Sequence, residues 1–75
     1  MDEPIDEDAA ELPRPDSTTL QILRALAGGA TIAEAALRCH VADSTLRRKL
    51  ANLRVEWSVE TNMQLVVLAI RRGLI

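Results

Sequence analysis

The chain carries three consecutive cations, Arg47-Arg48-Lys49, set among leucines at helical spacing. Leu46, Leu50 and Leu53 recur at i, i+4 and i+7. A helix that buries them leaves Thr45, Arg47, Arg48, Lys49, Ala51 and Asn52 wholly or partly outside. An α-helix fits the major groove of B-DNA, where Arg or Lys can bind guanine O6 and N7 and Asn can pair with adenine. A basic run on a helix is more often a solvated face, so the cations alone decide little. The neighbouring elements carry the argument.

Other chemistry is poorly supplied. Cys39 is the one cysteine and His40 the one histidine, which is too few for a zinc site or an intramolecular disulfide. The two are adjacent but have no third group to orient them, so they do not form a nucleophile–base pair. No paired carboxylates or triad appear either, and the expectation is a binding protein with no catalytic residue, metal or cofactor. Cys39 reads as a small buried hydrophobe and Met63 as packing. His40 falls at a turn, where histidine tolerates positive φ better than most residues.

The elements that would position the cations are helical. Asp16, Ser17 and Thr18 are N-cap candidates. Leu20, Leu23, Leu26 and Ala27 follow at helical spacing with Ile22 alongside, and Gly28-Gly29 stops the segment. Thr31-Ile32-Ala33-Glu34 is a capping-box pattern opening a short second helix, with Ile32, Ala35, Ala36 and Cys39 as its buried stripe. After the tight link 39–42 comes the basic helix. Thr61-Asn62-Met63-Gln64 is a second capping box. It opens a fourth helix with a broad apolar surface of Leu65, Val66, Leu68, Ala69 and Ile70, closed by Arg71, Arg72 and Gly73. The predicted helices run about 18–28, 32–38, 43–55 and 61–72. Trp57 is expected to cap the core between the last two.

Composition agrees with an all-α fold. The 75 residues allow one small domain, and 48% hydrophobic content with no Phe or Tyr and a single Trp demands an aliphatic core. A chain of about 60 folded residues buries only roughly 60% of its unfolded surface, so the core is thin and pairing with another chain would help. The net charge of −2 hides two unlike parts. Residues 1–16 hold seven acids and one base, with three prolines, and read as a disordered acidic tail of charge −6. Residues 17–75 sum to +4 and read as the folded domain. The tail is a solvating leader, or it lies over the Arg47–Lys49 surface and competes with DNA, or it binds a partner. No signal peptide or membrane span is read, and a reducing cytoplasmic location is the default.

A short capped helix, a tight turn and a basic helix, in that order, make a helix-turn-helix. From about Thr18 to Ile75 the chain resembles the DNA-binding domain of LuxR/GerE-type (NarL/FixJ-type) transcriptional regulators of bacteria. Ile22 to Gly29 is similar to that family's aliphatic first helix ending in Gly. Thr31 and Glu34-Ala35-Ala36 fall on its Ser…Glu-Ile-Ala element, and Val41 and Thr45-Leu46 on the element that ends in Thr-Val. Leu65 to Ile75 is close to its closing Ala-Val…Gly-Leu-Ile helix.

The resemblance implies a four-helix bundle that binds double-stranded DNA as a homodimer. It implies base contacts from Arg47, Arg48 and Ala51, and phosphate contacts from Thr45 and Lys49, with Ser44 and Asn52 as further backbone-contact candidates. It implies a dimer surface on the fourth helix drawn from Leu65, Val66 and Ala69. The chain departs from the family at Ala42, where an N-cap Ser is usual and Asp43 or Ser44 would have to substitute. It also departs at Ala35, at Lys49 and at Glu56-Trp57, where an acid replaces a backbone-binding cation. A competing expectation is a protein-interaction module of the same fold. It would bind another regulator or RNA polymerase through the fourth helix, Trp57 and the acidic tail.

Overall fold

A computed structural model describes residues 15–75, and the acidic segment 1–14 lies outside the described residues. Among the described residues there are four α-helices and no strand: α1 Ser17–Ala27, α2 Ile32–Cys39, α3 Asp43–Trp57 and α4 Asn62–Arg71. Helix α1 packs against all three others, α2 packs on α3, and α3 on α4. None of the helices is long and apolar enough to cross a membrane.

Three of the four helices start on a side chain that satisfies otherwise unpaired amides. Asp16 Oδ1 accepts from the Thr19 amide at 2.7 Å. Thr31 Oγ1 accepts from the Glu34 amide at 3.1 Å while Glu34 Oε1 accepts from the Thr31 amide at 2.9 Å. Thr61 and Gln64 repeat this capping box, and Gln64 Oε1 also takes the Glu60 amide at 2.7 Å. Helix α3 differs. Its N-cap is Ala42, which has no side-chain bond to give, and Asp43 is already the first helical residue.

All four helices end in the same way. A residue of positive φ follows each one: Gly29 (99°), His40 (57°), Ser58 (58°) and Gly73 (72°). Its amide and the next bond back into the last turn, as in Ala30 to Ala25 and Gly29 to Leu26, or Val41 to Ala36 and His40 to Leu37. The same pairs recur as Val59 to Arg54 with Ser58 to Val55, and Leu74 to Ala69 with Gly73 to Ile70. This is the Schellman arrangement, which normally favours glycine at the left-handed position. The turn role expected for His40 is what its backbone adopts.

The core is aliphatic with one indole. Ile22, Leu23, Leu46, Leu50 and Leu65 are fully buried. Ala35 and Ala36 of α2, Leu53 and Trp57 of α3, and Val66 and Ala69 of α4 complete it. On α1 the inward face is Thr19, Ile22 and Leu23, while Ala27 is exposed, so the expected stripe is rotated toward Ile22. Ile32 and Cys39 are half-buried against the cluster. Met63, expected to pack, is instead 68% exposed.

Asp16 does more than cap α1. Its second oxygen meets Lys49 Nζ of α3 at 3.0 Å, so the residue assigned to the tail on charge ties two helices together. The Thr19 amide, the Thr19 hydroxyl and Lys49 together hold its carboxyl down at about 2, against an ordinary 3.8. A carboxylate with a lowered folded pKa contributes stability in full above its unfolded value and loses it as pH falls through the folded one. Acid unfolding should therefore steepen between about pH 4 and pH 2, and Asp16→Asn should flatten that limb of a melting-temperature profile. At neutral pH, Asp16→Ala is expected to cost about 1 kcal/mol, and Asp16→Asn, which keeps a capping oxygen, only the few tenths of an exposed ion pair.

Candidate nucleic-acid interface

Helix α3 presents its leucines inward and its polar residues outward because 3.6-residue periodicity separates them cleanly. Leu46, Leu50, Leu53 and Trp57 form one buried row. Ser44, Arg47, Arg48 and Asn52 are exposed, while Thr45, Lys49 and Ala51 are half-buried at the edges of that face. Arg48 and Asn52 are four residues apart and so share one line along the helix. Val55, 80% exposed, continues the outer face toward the C-terminal end.

Lys49 stands apart from the two arginines. It leans to the α1 side, where it pairs with Asp16 and lines a shallow groove with Pro15, Thr19, Asn52, Leu53 and Glu56. On another side of the helix, the Arg54 guanidinium donates to Asn62 Oδ1 and fastens α3 to the start of α4. The cations of α3 thus fall into two pairs. Lys49 and Arg54 make tertiary contacts, whereas Arg47 and Arg48 project into solvent.

The residues expected at a dimer surface are placed differently. Leu65 and Ala69 are fully buried and Val66 is 6% exposed, so all three belong to the core. The exposed apolar residues of α4 are Met63, Val67 and Ile70, at i, i+4 and i+7 on the opposite face. Trp57 is also buried, which removes it as an exposed anchor for a partner. The run Leu65–Ile70 is apolar all round the helix, so periodicity alone does not separate its inner face from its outer one. Asp16 is legible in the sequence as a cap, but its reach to Lys49 depends on how α1 crosses α3.

Among the described residues no three His, Cys, Asp or Glu side chains come together as a metal site. Cys39 is half-buried beside Gln21, Arg24, Ala25 and Arg38. Comparisons with family models, with curated proteins and with solved structures return no match.

Proposed function

We propose that the protein is a sequence-specific DNA-binding transcriptional regulator of the LuxR/GerE type, with α3 as the recognition helix in the major groove. The observation that carries this reading is the outer face of α3. Arg47, Arg48, Ser44 and Asn52 are exposed there on a helix anchored by four buried residues and preceded by a short helix and a tight left-handed turn at His40. The function is binding, not catalysis. Thr45, Ser44, Asn52 and Lys49 would position the helix on phosphates, while Arg47 and Arg48 would read base edges, with Ala51 available for apolar contact.

Two copies would bind an inverted repeat, with half-sites about one helical turn apart. The dimer face we assign is Met63, Val67 and Ile70, in place of the buried residues of the same helix. Val67→Glu is expected to leave helicity intact, convert a dimer to a monomer in sedimentation, and weaken binding to a two-half-site duplex far more than to a single half-site. The same stripe also supports a second reading, a module that docks on another regulator through α4. Selection of bound duplexes from a random pool at defined salt separates the two. Enrichment of a repeated half-site supports the regulator. Absence of any duplex binding at low salt by a chain with a neutralised tail favours the interaction module.

A further inference from the structure

Val55 stands out on α3 as a large aliphatic side chain that is 80% exposed. It takes no part in the core cluster or in the partly buried shell around it. Nor does it serve the turn that ends the helix. There Val59 bonds back to Arg54 and Ser58 to Val55. The apolar contact that accompanies such a turn joins the Val59 position to Arg54 or Leu53, not to Val55. A β-branched residue is a weak helix former, and at an exposed position packing does not offset that.

The residues before it define its place on the helix. Ala51, four residues earlier, lies half-buried at the edge of the outer face, so the two share one line. Arg48, seven residues earlier and also exposed, lies on the same side of the helix to within about 20°. The outer face is thus cationic in its first half and apolar at its end. The charged neighbours of Val55 turn elsewhere: Arg54 donates to Asn62, and Glu56 lines the groove on the α1 side with Lys49 and Asp16.

We propose that Val55 is a specificity-determining residue that packs on the 5-methyl group of a thymine in the major groove, at a fixed step from the guanine read by Arg48. The inference rests on the DNA-binding reading of α3 and adds the chemistry of a further base position to it. The thymine methyl is the apolar group on the major-groove base edges, and an aliphatic side chain is what recognises it. The register follows from geometry. Seven residues advance about 10 Å along the helix, which at about 3.4 Å per base pair is roughly three base-pair steps.

The test starts from duplexes enriched from a random pool by the full chain at defined salt. Arg48→Ala marks the guanine position as the one whose preference it relaxes. The enriched duplex is then made with deoxyuridine in place of the thymine about three base pairs away, which removes the methyl group and nothing else. Fluorescence anisotropy gives the affinities of the parent, Val55→Ser and Val55→Ile for both duplexes. The parent is expected to lose about fourfold on the uracil duplex, the worth of one buried methyl. Val55→Ser, at an exposed site and of similar helix propensity, should fold as the parent does and bind the two duplexes equally. Val55→Ile should keep the discrimination. Equal binding of both duplexes by the parent, or no thymine preference at that step, would overturn the proposal and leave DNA binding by α3 standing. A Val55→Ser variant that still preferred thymine would also overturn it, since another side chain would then hold the methyl. If the chain enriched no duplex at all, the DNA-binding reading would fall, and this contact with it.

Discussion

Leu50→Ala is expected to remove a large share of the protein's stability. Leu50 is 1% exposed, at the middle of a helix that packs on all three others. Truncating a buried leucine costs about 2–5 kcal/mol, through lost transfer energy and the cavity left behind. Domains are stable by roughly 0.05–0.15 kcal/mol per residue, which puts residues 15–75 at about 3–9 kcal/mol. One such truncation therefore removes between about a fifth of the total and all of it. At about 4–8 °C per kcal/mol for a domain this small, the melting temperature should fall by at least about 8 °C in a circular-dichroism melt. Leu50→Met, close to volume-conserving, should cost under about 1.5 kcal/mol. A Leu50→Ala melt indistinguishable from the parent would mean the four-helix core is packed differently from the arrangement described.

The same leucines show what the sequence can and cannot convey. On α3 the buried row and the cations interleave at an unambiguous period, so both the helix and its outward residues are legible. Capping chemistry is equally legible at Thr31 with Glu34 and at Thr61 with Gln64, because the paired side chains are local and residue-specific. The turns are legible only in part. Gly29 and Gly73 advertise positive φ, His40 hints at it, and Ser58 gives no sign, although its backbone adopts the same geometry.

Contacts distant in sequence are not legible. The tie from Lys49 to Asp16 spans α1 and α3, and nothing in either local pattern announces it. The apolar run of α4 allows two choices of inner face, and the dimer residues implied by the family resemblance fall on the one that the core occupies. Met63, Val67 and Ile70 emerge only once α4 is packed.

The division of labour among the α3 cations leads to the sharpest functional expectation. Arg47→Ala with Arg48→Ala should lower affinity for a selected site by roughly 10²–10⁴-fold, since a good bidentate base contact is worth about 1–3 kcal/mol. Most of that loss should be specific, so that affinities for selected and random duplexes converge. Lys49→Ala should behave differently. A phosphate contact ordinarily adds about one to the slope of log affinity against log salt. Lys49, however, must exchange its 3.0 Å partner Asp16 for the phosphate. Part of its favourable charge is thus already used in the free protein, and the slope change should fall short of one. Asp16→Asn then becomes the informative companion. It frees Lys49 and should raise affinity for all duplexes alike, most visibly at low salt, where surface pairs are least screened. Fluorescence anisotropy over a salt series checks all three variants. If the double arginine variant kept both the parent affinity and the parent preference among duplexes, base readout by α3 would have to be abandoned. If Asp16→Asn left non-specific affinity unchanged, Lys49 would not be a phosphate contact, and the positioning role would pass to Thr45, Ser44 and Asn52.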